Sequence, residues 1–163
     1  LDILNEQGEK TGEIRSYKEV HRKGLWHRTI HAWFLNPKGQ LLLQKRSKNK
    51  EAHPGHWDIS VAGHISAGQT GVEAAKRETE EEIGLTLPDP AYQYLFNVKS
   101  QSVQNNGAYI NNEFQDVFLV RFDVSISKLK IPSDEVEEAR WVDIEEFKKW
   151  INGEREAMVP HEE

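Results

Sequence analysis

Residues 63–85 read Gly63-His64-Ile65-Ser66-Ala67-Gly68-Gln69-Thr70-Gly71-Val72-Glu73-Ala74-Ala75-Lys76-Arg77-Glu78-Thr79-Glu80-Glu81-Glu82-Ile83-Gly84-Leu85. Thr70 followed three residues on by Glu73 is a capping-box signature. Gly84 stands where a left-handed C-terminal residue is wanted, and Pro88 lies just beyond. A helix over Gly71–Ile83 is therefore expected. At about 100° per residue, Val72, Ala75, Thr79 and Ile83 share its packing face. Glu78, Glu81 and Glu82 form a neighbouring stripe, Glu80 points away, and Arg77 lies one turn before Glu81 and can brace it. Carboxylates ~6 Å apart at an effective dielectric of ~20 repel by about 3 kcal/mol per pair. A solvated acidic face is the ordinary reading of such a run. Beside a buried stripe, a divalent cation reverses the sign of the energy, and Mg²⁺ favours carboxylates, water and substrate phosphates.

Working outward, strands dominate. Leu1–Ile14 reads as a hairpin turning at Glu6–Gly8, and residues 16–24 as a loop or short helix ending at Gly24. Strands are expected at Ile30–Leu35, Leu41–Arg46, Trp57–Ala62, Tyr92–Ser100, Asn112–Asp123 and Ala139–Val142. Asn105-Asn106-Gly107 favours a turn with positive φ. A last helix is expected over Asp143–Ile151, with Asp143 as N-cap and Glu146 three residues on; the polar residues after it are expected to fray. The chain has 163 residues, which fits one domain spanning 1–163, and the element order points to an α+β fold with a mixed sheet covered by helices.

Composition narrows the function. There is no cysteine, so a disulfide framework, a thiolate metal site, an iron–sulfur cluster and a thiol nucleophile are excluded. The net charge of −6 argues against a nucleic-acid partner. No run of ~18 apolar residues suggests a membrane span. Leu1–Glu6 lacks the basic and apolar regions of a signal peptide, so a cytoplasmic location is expected.

From Gly63 to Leu85 the chain resembles, without gaps, the Nudix box G-x5-E-x7-R-E-U-x-E-E-x-G-U, where U is a bulky apolar residue. Thr79 replaces one apolar residue and Gln69 replaces the first Glu, which in the family supports the Arg and the metal site. Gln69 keeps hydrogen-bonding capacity but not charge. The resemblance implies the Nudix fold, a mixed sheet sandwiched between helices. It implies Mg²⁺ (or Mn²⁺) held by Glu78, Glu81 and Glu82 with the Gly63 carbonyl, and glutamates held in place by Arg77.

Residues 20–85 also resemble the isopentenyl-diphosphate isomerase branch of the superfamily. The residues concerned are His27-Arg28, Leu41-Leu42-Leu43-Gln44-Lys45-Arg46, Lys50, Pro54-Gly55-His56-Trp57 and Ala62-Gly63-His64. That resemblance implies that Arg46 and Lys50 bind a diphosphate. The isomerase cysteine has no counterpart, since Ala62 stands there. The branch's histidine metal site would correspond to His27 and His64, with His21 a loose third and Glu113 an acid. Histidines that hydrogen-bond near the substrate, His64 among them, are the preferred reading over such a site.

Downstream, Ile110–Val120 resembles the strand of a bacterial and plant Nudix group sharing the segment Trp57–Gly68. It offers Glu113 as base or ligand, with Asp116 in reserve. Trp26, Trp33, Tyr109 and Phe114 are candidates to stack on a base.

The expectation is a Nudix pyrophosphohydrolase, with Glu82 or Glu113 as base. Its substrate would be a small diphosphate, either a nucleoside diphosphate derivative or an isoprenoid diphosphate. An isomerase-like enzyme and a non-catalytic diphosphate-binding module are the alternatives. Homodimerisation is expected by family analogy alone.

Overall fold

A computed structural model describes residues 1–50, 53–131 and 134–160. Nine strands and three helices are found among them: β1 Asp2–Leu4, β2 Lys10–Ile14, α1 Tyr17–Lys23, β3 Trp26–Leu35, β4 Gln40–Arg46, β5 Trp57–Asp58, β6 Val61–His64, α2 Gly71–Ile83, β7 Tyr92–Gln104, β8 Tyr109–Arg121, β9 Val136–Asp143 and α3 Ile144–Ile151. The expected mixed sheet is present. β3 is its centre, antiparallel to β1, β4 and β6 and parallel to β8, while β7 pairs with β8 and β9 with β4.

β3 explains the layering. Alternation along a strand sends Ile30, Ala32 and Phe34 to one face, where they join Ala74, Ala75 and Ile83 of α2 in the main core. His27, Thr29, His31 and Trp33 go to the opposite face, which α1 covers at one end and α3 at the other. α2 forms as its punctuation predicts. Thr70 and Glu73 make a reciprocal capping box, and Gly84 adopts φ 70°.

The sheet is split where the site will lie. β3 and β4 are registered only at Leu35↔Leu41. Beyond that point β3 pairs with β6 and β4 with β5. The expected single strand Trp57–Ala62 is therefore two strands interrupted at Ile59-Ser60. Ser60 is the wedge: its hydroxyl accepts from the Phe34 amide at 2.9 Å and donates to the Leu42 carbonyl. It thereby satisfies one strand on each side of the split.

Other differences are local. β3 begins at Trp26, and β7 and β8 run to the tip, where Asn105 and Asn106 take the expected positive φ. Asp143 is the N-cap of α3 but makes no side-chain cap bond, and the Glu146 carboxylate that would complete a capping box accepts from Trp150 Nε1 at 3.2 Å instead. Of the residues after α3 that were expected to fray, Ala157 and Val159 are instead held by backbone bonds to Trp57, and 161–163 lie outside the described residues.

Ser60→Ala leaves a buried amide and a buried carbonyl unpaired, and should cost about 1–3 kcal/mol in urea denaturation. A loss below about 0.5 kcal/mol would show that the wedge is dispensable.

Candidate active site

The split sheet opens into a cleft of about 570 Å³. Glu82 reaches it from α2 and joins the two sides of the split. Its carboxylate accepts from Gln44 Nε2 of β4 at 3.0 Å and from the Ala62 amide of β6 at 3.3 Å. Burial pushes the Glu82 carboxyl up to about 8, and the nearby charges of Glu78 and Asp58 push the same way. Glu78 is also raised by burial, with Arg77 opposing. Its side chain, 13% exposed, lies against Gly63. A Cβ at Gly63 would stand 2.1 Å from the Glu78 carboxyl, so only glycine allows the two to meet.

Glu81 is placed differently from its two neighbours. It is 58% exposed and bonded to Arg77 at 3.1 Å, on the solvent side rather than in the cleft lining. Arg77 organises the group. It donates to Glu81, pairs with Glu78 at 2.8 Å and donates to the His64 carbonyl at 2.8 Å, tying α2 to β6. Gln69 accepts from the Ser66 amide at 3.1 Å, within the loop.

A second cluster lies along the same cleft. Ligand atoms of His21, His27, His64 and Glu113 all fall within 4.8 Å of one another. The isolated, hydrogen-bonding histidines preferred from sequence are thus a convergent set. His64 Nε2 lies 3.2 Å from His21 Nε2, and His27 Nε2 lies 3.7 Å from Glu113. Burial lowers His21 and takes His64 down to about 3, so both imidazoles are neutral at neutral pH. Burial alone would raise Glu113, but His27, Gln115 and His64 hold it at about 2. Tyr17 and Tyr109, joined hydroxyl to hydroxyl at 2.6 Å, pack on His21.

Thr29 Oγ1 and Gln115 Oε1, which line the cleft, and His27 Nε2 and Gln44 Oε1 have no hydrogen-bond partner among the described residues. Such atoms are rare in native interiors, where a water, an ion or a ligand satisfies them. Arg46 and Lys50 also line the cleft, where Arg46 pairs with Asp58 at 2.8 Å and Lys50 with Glu135.

Asp116 is not brought to the cleft. It faces the α2 side, bound by Arg28 and by Asn97 at 2.8 Å. Trp26 and Phe114 pack on each other, and Trp33 packs on Phe147, which leaves Tyr109 as the one of the four aromatic candidates that lines the cleft.

The NUDIX domain family model matches residues 25–161. The chain belongs to the Nudix family. Nudix hydrolase 3 of Arabidopsis thaliana is 43% identical over 165 residues, covering 99% of this chain and 21% of that protein, so the chain spans about a fifth of that relative's length. An isopentenyl-diphosphate Delta-isomerase of Escherichia coli O17:K52:H18 is 33% identical over 160 residues, covering 97% of this chain and 84% of that one. The DR0079 protein of Deinococcus radiodurans shares the fold with a TM-score of 0.72 at 24% identity, over 98% of this chain and 92% of that one. Nudix family membership and the hydrolase relatives support a pyrophosphohydrolase.

Asp58, Gln44, Thr29, His31 and Gln115 line or brace the Nudix cleft without having been singled out from sequence. Strand register was the missing signal, since Gln44↔Asp58 and Thr29↔Gln115 become neighbours only once the strands are paired.

The shifted groups set a pH dependence. A carboxyl raised in the folded state loses stability as pH climbs from the unfolded value to about 8. An imidazole lowered in the folded state loses stability as pH falls below 6.5. The two oppose each other between 4.5 and 6.5, and only the carboxyl acts above that window. In EDTA the melting temperature should therefore fall between pH 6.5 and 8, and Glu82→Gln should flatten that slope. An unchanged slope in the variant would mean that Glu82 is not the group responsible.

Proposed function

We propose that this chain is a Mg²⁺-dependent pyrophosphohydrolase that cleaves a diphosphate linkage in a small molecule, either a nucleoside diphosphate derivative or an isoprenoid diphosphate. The observation that carries this reading is the half-buried Glu78–Glu82 pair facing a cleft that also holds Arg46 and Lys50. Glu78 and Glu82 would hold the cation, with Glu81 at the solvent rim and the Gly63 carbonyl completing the set. Mn²⁺ would suit the same oxygens. Bound there, the ion supplies Lewis acidity toward a phosphoryl oxygen and acidity to a water.

The side chains divide the remaining work. Arg46 and Lys50 meet the diphosphate, exchanging Asp58 and Glu135 for phosphate oxygens and balancing charge as the P–O bond breaks. Arg77 keeps Glu78 and Glu81 in position. Glu82, held at the cleft by Gln44 and the Ala62 amide, would orient and deprotonate the water. His64 and Glu113 instead belong to the imidazole cluster. Its three imidazoles and one carboxylate suit a second cation of transition-metal type. With Ala62 in place of the isomerase cysteine, carbon protonation by that route lacks its acid.

One Nudix domain over 1–163 is part of this reading, supported by Leu4↔Trp26 pairing, which joins the N-terminal hairpin to β3. So is a cytoplasmic setting without membrane or nucleic-acid partners. No helix among the described residues is long and apolar enough to cross a membrane.

Glu82→Gln should lower Mg²⁺-dependent phosphate release by about two orders of magnitude or more with an unchanged circular dichroism spectrum. Activity and Mg²⁺ dependence both surviving would remove Glu82 from the metal site. Incubation with isopentenyl diphosphate separates the alternatives, because a hydrolase releases phosphate and an isomerase rearranges the alkene. Elemental analysis of protein loaded with Zn²⁺ or Mn²⁺ should show the ion retained by the native chain and lost in His64→Ala. Equal retention would leave the imidazole cluster without a metal role.

A further inference from the structure

A second, apolar cavity of about 700 Å³ opens on the same face of the sheet as the polar cleft, lined by Trp33, Leu41, Leu95, Phe96, Val117 and Leu119 among others. Register shows the two to be successive stretches of one surface. Across β3, β8 and β7 the paired rows run His27/Glu113/Ser100, then Thr29/Gln115/Val98, then His31/Val117/Phe96, then Trp33/Leu119 with the exposed Gln93 at the edge, and β3 and β8 end in Leu35/Arg121. Two residues per row at ~3.3 Å each put the His27 and Trp33 rows roughly 20 Å apart. Between those two rows β3 and β8 pass from His and Glu to Trp and Leu, and Arg121 closes the face at the strand ends.

The far end is built to stay apolar at the solvent boundary. A register shift between Tyr94 and Phe96 breaks the alternation of β7, and the consecutive Leu95 and Phe96 both line the cavity. They are 41% and 46% exposed, an apolar rim that gains by being covered. Val159 and Pro160 line both cavities, so the C-terminal segment stands at their junction. It is held there by the Trp57 backbone, which donates to the Ala157 carbonyl and accepts from the Val159 amide, each at 2.8 Å.

We propose that this surface binds a diphosphate carrying a hydrocarbon chain of roughly ten to fifteen carbons, its head in the polar cleft and its tail along the apolar trough. This rests on the pyrophosphohydrolase reading and narrows its substrate class. Continuity with the cleft argues for a substrate tail rather than a second copy of the chain. A base and ribose would need polar partners at the far end, where Trp33, Leu119 and Phe96 offer apolar surface. In the reaction a water oxygen bonds to phosphorus, the bridging P–O–P bond breaks and the water gives up a proton. The alkyl monophosphate and inorganic phosphate leave.

The test is phosphate release from prenyl diphosphates of five, ten and fifteen carbons and from a nucleotide sugar, with Mg²⁺, by the native chain and Phe96→Asp. KM should fall at least about tenfold per five-carbon step with kcat little changed. Phe96→Asp, at an exposed position, should raise KM for the fifteen-carbon substrate at least tenfold more than for the five-carbon one. Leu95→Ser should act in the same direction. A KM independent of chain length, an equal effect of Phe96→Asp on every substrate, or preference for the nucleotide sugar would overturn the proposal. A native dimer that Phe96→Asp dissociates, without length dependence, would assign the trough to a second copy and overturn it as well. Calorimetric binding of the same diphosphates keeps the two readings apart. Length-ranked binding without hydrolysis sustains the tail site and removes the hydrolase, whereas hydrolysis without length ranking does the reverse.

Discussion

The carboxylate of Glu82 is the point where fold and chemistry constrain each other. It lies in the gap where β3 and β4 part, bonded to Gln44 on one side and Ala62 on the other. Two amide hydrogen bonds do not offset the loss of water around a half-buried charge with Glu78 and Asp58 alongside, and its affinity for a proton rises accordingly. A group that binds a proton this readily binds a hard cation for the same reason. Ser60 makes the gap possible by pairing with both strands as they diverge, and Gly63 lets Glu78 come beside it. The acidic stripe on α2 is therefore crowded because the sheet behind it is open.

Arg77 shows how little of the site is autonomous. Its guanidinium bridges two glutamates of α2 and the carbonyl of His64. The helix carrying the acidic cluster and the strand carrying one histidine of the second cluster are thus fastened through one side chain. The two candidate cation positions share the β6 segment Ala62-Gly63-His64, whose amide, missing side chain and imidazole face different partners in turn. A shift of that segment would disturb both positions together.

Legibility from sequence followed the range of the forces involved. The α2 helix was readable to the residue because its punctuation is local: Thr70, Glu73 and Gly84 act within one turn of their neighbours. The Asn105-Asn106-Gly107 turn was readable for the same reason. The break at Ile59-Ser60 was not, since the partners of Ser60 are Phe34 and Leu42, far along the chain. In α3 the local signal misled, because Glu146 found Trp150 rather than the Asp143 amide. The placement of Glu81 turned on Arg77, which drew it outward from a stripe that helical geometry alone treats as uniform. Convergence of His21, His27, His64 and Glu113 from four elements was suggested only by resemblance, because spacing along one chain carries no information about packing between α1, β3, β6 and β8.

The same register that hides the site from sequence makes its polarity coherent. Residues two apart on β3 change from His27 through Thr29 and His31 to Trp33, and β8 changes in step from Glu113 through Gln115 to Val117 and Leu119. Neither strand reads as an ordinary alternation of apolar and polar, because the face away from α2 is polar around His27 and Glu113 and apolar around Trp33 and Leu119. A sheet face that served only as core would be apolar throughout, and one that served only solvent would be polar throughout. The proposed reaction centre and the proposed tail surface would thus share one rigid support, with α1 against its histidine end, α3 against Trp33 and the C-terminal segment between the two cavities.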